Sequence, residues 1–191
     1  MGAGLGRTLA QSGHRTLLIS ADLRWPTLHE LLETPSEPGL SELLAELETS
    51  DRHSRSLRRL LSAAIVSVES ANRYGELDVL PSGHKPDDAA RLLTGEGLAA
   101  LFAAIGELDY AYVIIDAPPL LGIADTQALA RCADSLLYVA RLDRLTVENV
   151  MDARDTLDRL ELNPVGLVVI GARSEASPYY VGLRAPALED A

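Results

Sequence analysis

The chain has 191 residues, a net charge of −11 and 47% hydrophobic content. That is enough chain for one domain with its own core, and the acidic balance excludes a broad nucleic-acid-binding surface. One cysteine, Cys132, excludes an intrachain disulfide and a cysteine metal cluster, and no apolar run approaches the ~18 residues of a membrane span.

In chain order, residues 1–13 read as a helix closed by Gly13, with Leu5, Leu9 and the alanines on one face. Gly2, Gly4 and Gly6 cluster there, but no strand precedes them and no Gly-Lys-Ser/Thr follows. They are read as helix rather than phosphate loop. Thr16–Ser20 is a short buried strand running into Asp22, Arg24, Trp25 and Pro26. Arg24 is placed either to meet phosphate or to pair with an acid. Thr27–Leu32 is a short helix, Pro35, Pro38 and Gly39 make a turn, and Ser41 with Glu42 opens a helix through Leu47. Glu48–Asn72 yields no clear element. Its arginines Arg52, Arg55, Arg58 and Arg59 fall at helical spacing and read as a solvated face, with anionic lipid or substrate contact as the alternative.

Leu77–Leu80 is a third strand, ended by Pro81-Ser82-Gly83 and followed by a loop with His84, Lys85 and Pro86. Helical stretches run from Asp87 to Gly106. Tyr112–Ile115 then reads as a buried parallel strand that ends in Asp116. An acid at that end of such a strand sits where open α/β sheets bind ligands. Pro118 and Pro119 force an extended loop after it. This is the form of a Walker B segment, whose acid holds Mg²⁺ directly or through water; a strand that happens to end in Asp is the plainer alternative. Ala124–Arg131 is a helix, with Cys132 after it as a buried, inert thiol. Ser135–Ala140 is a strand. Thr146–Leu160 is an amphipathic helix capped by Thr146, with Val147, Val150, Met151, Leu157 and Leu160 on one face. Val165–Ile170 is a last buried strand. Alternating strands and helices predict a parallel α/β sheet with right-handed crossovers. The domain is expected over 1–182, with a flexible tail over 183–191.

Three segments together resemble the kinase domain of the bacterial tyrosine kinases of capsular and exopolysaccharide synthesis, within the MinD/ParA-like P-loop NTPases. They are Leu17–Leu44, Leu77–Leu93 and Leu108–Ala130. The family pattern is a strand ending Asp-x-Asp-x-Arg-x-Pro, a Pro-Gly-Leu-Ser-x-x-Leu turn, a Leu-Pro-x-Gly loop, and a strand ending Asp-x-Pro-Pro with Ala-Asp soon after. The resemblance implies ATP and Mg²⁺ as cofactors, with Asp22 and Asp116 as the catalytic and metal-side carboxylates. It places Arg24 and Pro118 on the phosphate side, and offers Tyr179 and Tyr180 as phosphoacceptors. It also implies a membrane chain-length regulator as partner, a homo-oligomer, and a cytoplasmic position at the inner face of the plasma membrane.

The departures are specific. The family's phosphate loop, Gly-x-x-x-x-Gly-Lys-Ser/Thr, precedes a helix that reads like Ala3–Gly13, and it is not among these residues. The sheet is therefore expected to lack its first strand. Lys85, the only lysine, cannot replace the loop's lysine because Pro86 follows it. Ser20 stands where the family has the first acid of Asp-x-Asp, and a serine cannot act as a carboxylate base near neutral pH. The strand Val165–Ile170 lacks the Asn that family members often place at its end to read adenine. Two accounts stay open: a start upstream of Met1, or a degenerate relative with a scaffold role. A MinD/ParA-type ATPase and a non-catalytic partner of the membrane regulator are the other functional readings.

Overall fold

The computed structural model of the chain describes residues 1–49, 54–68, 76–122 and 125–171. Backbone contacts divide it into two compact units, Met1–Asp134 and Ser135–Ala191.

In the first unit, β1 (Thr16–Ser20) lies between β3 (Leu77–Leu80) and β4 (Tyr112–Asp116), parallel to both. An element unread in the sequence, β2 (Val66–Val68), pairs antiparallel with the outer edge of β3, so the order is β2-β3-β1-β4. Successive side chains of a strand point to opposite faces, and β1 uses both. Leu18 packs with Ala3 and Ala10 of α1 (Gly2–Gln11) and with Leu28 and Leu32 of α2 (Leu28–Leu32). Leu17 and Ile19 face the larger core formed by α3 (Leu40–Thr49), α4 (Ser54–Ala64), α5 (Ala89–Thr94), α6 (Glu96–Gly106) and α7 (Asp125–Ala130). Every residue of β1 is buried, as a central strand covered by helices on both sides requires. Gly13 takes φ 87° just after α1, the left-handed conformation that glycine adopts without strain.

The loop between α2 and α3 and the loop that follows β3 are interlocked. Leu40 and Ser41 donate their backbone N–H groups to Pro81 O and Ser82 O, at 2.8 and 2.9 Å. A Cβ on Gly39 would fall 2.2 Å from Gly83 N and 2.4 Å from Pro81 O, so only glycine lets these backbones meet.

The described residues of the second unit form a strand–helix–strand crossover. β5 (Leu137–Arg141) pairs parallel with β6 (Gly166–Ile170), joined through α8 (Val147–Arg159). Thr146 caps α8 as expected: its Oγ1 accepts from Asn149 N–H while Asn149 Oδ1 accepts from Thr146 N–H.

Two expectations fail here. Val147, Val150 and Met151 are exposed, and Ala153 is the buried residue of α8. Leu167 and Val169 of the expected buried strand are exposed as well. The periodicity marks an apolar face but does not specify what covers it. In the first unit Tyr112 and Val113 of β4 are likewise partly exposed, because β4 is the edge of its sheet.

Gly39→Ala should destabilise the first unit by roughly 1–3 kcal/mol, the range for forcing extra atoms into packed structure. A lowered urea midpoint at unchanged m-value would show it.

Candidate functional site

The register of β1 and β4 builds the site. Ser20 pairs with Asp116 across the sheet, and Ala21 N–H donates to Asp116 O at 2.9 Å, carrying the pairing one residue past β1. Asp22 follows at once. Its Oδ1 accepts the backbone N–H of Arg24 at 3.1 Å and of Trp25 at 3.0 Å, closing a tight turn. Among the described residues none donates to its Oδ2. Thus the two carboxylates leave adjacent strand ends on the same rim.

Asp116 is half-buried, and burial pushes its carboxyl pKa up. The amino-terminal ammonium opposes this, while the negative charge of Asp22 adds to the rise. The first turn of α1 lies against the same carboxylate: a Cβ on Gly2 would fall 2.7 Å from Asp116 Oδ1. A desolvated carboxylate beside a second one is the environment that a divalent cation relieves. Mg²⁺ suits this donor set, since it keeps several waters and takes one or two carboxylates together with phosphate oxygens. The described residues hold no cluster of three or more acidic, histidine or cysteine ligands. The pair therefore fits a cation that is shared with a ligand rather than caged by protein. The phosphate side does not fit equally well. No Gly-Lys-Ser/Thr is present, and Lys85 Nζ lies 5.9 Å over the ring of the exposed Trp25.

The other expected site residues are engaged with α7. Arg24 does not stand free for phosphate: its Nε and Nη2 donate to Asp125 Oδ2 and Oδ1 at 2.9 and 3.2 Å. Asp125 is fully buried, and its hydrogen bond and charge push the Arg24 pKa up. Pro118 is buried, and its carbonyl accepts from Thr126 Oγ1 at 3.0 Å, as the carbonyl of Pro119 does at 3.1 Å. Ser20 is 3% exposed, at the strand end where the family pattern has an acid. Tyr179, Tyr180 and Arg52 lie outside the described residues. Cys132 is partly buried with a raised pKa, as an inert thiol should be. Sequence reading assigned no role to Asp125, Thr126 or Gly2. The Ala-Asp step after the prolines was the available signal for the first.

A carboxylate with a separate task sits at the β3 end of the rim. Glu42 Oε1 accepts the backbone N–H of His84 and meets its ring Nδ1, each at 2.9 Å. Glu42 Oε2 accepts from Gly39 N–H at 2.8 Å and Ser41 Oγ at 3.1 Å. Burial alone would push this carboxyl up; the bonds from His84 and Gly39 outweigh it and hold the pKa at about 2, against an ordinary 4.5.

No protein-family model matches the sequence. Among individual proteins, the chain is 30% identical over 185 residues to tyrosine-protein kinase YwqD of Bacillus subtilis, covering 95% of this chain and 71% of that one. It is 27% identical to the putative tyrosine-protein kinase CapB of Staphylococcus aureus, over 88% of this chain and 67% of that protein. It is 28% identical to tyrosine-protein kinase wzc of Salmonella typhimurium, spanning 93% of this chain but 22% of wzc. Of solved structures, the kinase domain of Escherichia coli tyrosine kinase ETK superposes with a TM-score of 0.73 at 28% identity, over 92% of this chain and 63% of that one. The chimerical protein CapA2B2 superposes with a TM-score of 0.72 at 28% identity, over 88% and 67%.

The folded pKa of Glu42 lies below its unfolded value, so its contribution to stability is complete above about pH 4.5 and is lost as pH falls toward 2. Over that window the stability gap between the wild-type chain and Glu42→Gln should shrink. Urea midpoints measured between those two pH values would reveal it.

Proposed function

Because the chain belongs to the bacterial tyrosine-protein kinase family, we propose that it carries the metal-side half of an ATP-dependent tyrosine phosphotransfer site. Its Asp22 and Asp116 would hold Mg²⁺, directly or through water. The observation that carries the reading is the pairing of Ser20 with Asp116, which brings both carboxylates to one rim, Asp116 lying against the first turn of α1. ATP·Mg²⁺, when bound, supplies the transferable phosphoryl group and neutralises charge developing on it. Asp116 would hold the cation from the β4 side and Asp22 from the β1 side, where only its Oδ1 is used by the turn. Regulation of polysaccharide synthesis beside a membrane chain-length regulator, with assembly into a homo-oligomer, is the matching biological setting. No helix among the described residues is long and apolar enough to cross a membrane.

Two features set the expected activity of these 191 residues. Phosphate grip by a loop and its lysine is absent from the sequence. Three charge-assisted hydrogen bonds at about 1.5–3 kcal/mol each amount to roughly 5–9 kcal/mol, or about three to six decades of affinity. Nucleotide binding by these 191 residues alone is therefore expected to be weak. The second feature is Ser20, which takes no proton from a tyrosine hydroxyl at neutral pH. It favours a second reading, a non-catalytic regulatory partner that keeps the fold and the cation site.

Trp25 is the only tryptophan and stands exposed on the rim, so its emission reports binding. Titration with Mg·ATP should show no saturation below about 1 mM. A chimera with a Gly-x-x-x-x-Gly-Lys-Thr segment joined ahead of Met1 should bind at least about a thousandfold more tightly, and Asp116→Asn should cancel most of that gain. In the chimera, Ser20→Asp should raise phosphate transfer to a tyrosine peptide by about 10²–10⁴-fold, the usual worth of a general base. Tight nucleotide binding by the unextended chain, or a chimera indifferent to Asp116→Asn, would refute the assignment.

A further inference from the structure

The described part of α7 begins with Asp125 and Thr126, and each grips a different loop of the rim. Asp125 is fully buried, and the forked pair of bonds from Arg24 reaches it across 101 residues of sequence. Arg24 lies two residues beyond Asp22, in the turn that Asp22 itself closes. Thr126, also buried, donates its hydroxyl to the carbonyls of Pro118 and Pro119, two and three residues beyond Asp116. Hence one helical turn is tied to the loop that carries Asp22 and to the loop that follows Asp116.

We propose that Arg24, Asp125 and Thr126 form a positioning clamp that sets the separation of Asp22 and Asp116. This deepens the metal-side reading of those two residues and rests on it. The physical need is plain. Past Ala21 the strand ladder has ended, and α2 does not begin until Leu28. Over that gap the buried Leu23, the Asp22 turn and the Arg24 fork hold the chain. A carboxylate pair suited to Mg²⁺ must keep a spacing close to octahedral. A planar guanidinium fork fixes angle as well as distance, which a lysine would not do. Arg24 is thereby a positioning residue rather than a phosphate ligand, and Asp125 acts through it.

The test uses the chain as it stands, with two readouts. Native-state hydrogen exchange follows the Arg24 and Trp25 amides, both held by Asp22 Oδ1. Mn²⁺ affinity, read from the free-ion paramagnetic signal, follows the cation site. Asp125→Asn keeps the shape of the side chain and removes its charge; Thr126→Val keeps the branching and removes the hydroxyl. Tyr110→Phe serves as control, because it removes a bond to the buried Asp78 in the same sheet but outside the clamp. Asp125→Asn should lower protection of both amides and weaken Mn²⁺ binding by about 10- to 100-fold, as loss of a group orienting a metal ligand does. Thr126→Val should weaken Mn²⁺ binding while leaving those amides protected. Tyr110→Phe should change neither beyond its effect on global stability. Unchanged amide protection in Asp125→Asn would overturn the clamp, whatever the metal does. Absence of Mn²⁺ binding to the unaltered chain would overturn the metal reading, and the exchange measurement would still decide the clamp.

Discussion

Parallel pairing of β1 with β4 is the constraint on which the rest of the molecule depends. It sets Ser20 against Asp116, and the Ala21 N–H bond to Asp116 O extends the ladder to the residue before Asp22. Local structure alone could not bring the two carboxylates together, since Asp22 and Asp116 are 94 positions apart in the sequence; the sheet supplies the proximity. Burial of β1 on both faces, Leu18 toward α1 and α2 and Leu17 and Ile19 toward the larger helical core, makes any slip of register costly. The geometry of the rim is thus secured by apolar packing below it.

Elements with strong local signals were readable from sequence. Thr16–Ser20, Leu77–Leu80 and Tyr112–Ile115 are short apolar runs bounded by turn residues, and each is a strand. Gly13 and Thr146 end and start helices where their chemistry demands. By contrast, β2 was illegible because Val66-Ser67-Val68 offers three residues and no period. Its place is fixed by a partner elsewhere, with Ser67 Oγ donating to Asp78 Oδ1 at 2.5 Å. The apolar face of α8 was readable as a pattern, but pattern does not say what covers it, and Val147 and Met151 stand exposed.

The candidate site divides in the same way. Asp22 and Asp116 were legible because each follows a strand, and position at a strand's carboxyl end is a sequence property. The partner of Arg24 was not. An arginine beside an acid suits phosphate and carboxylate equally, and the choice of Asp125 depends on where α7 lands. Gly2 was seen only as one of a glycine cluster for a related reason: its lack of a side chain matters because Asp116 Oδ1 is 2.7 Å from where a Cβ would be. Membership of the tyrosine kinase family is carried by similarity along 95% of the chain. Ser20 stands, buried, at the end of β1 where the family pattern has an acid.

The central claim is that Asp22 and Asp116 form one cation site. Its most direct measurement is Mn²⁺ titration of the isotopically labelled chain, observed by paramagnetic broadening of backbone amides. Amides of Ser20–Trp25, of Asp116 and Ala117, and of the first turn of α1 should broaden first and together, and Asp116→Asn should abolish the effect. Broadening that begins instead at the exposed acids Asp87 and Asp88, or that survives Asp116→Asn, would contradict the account.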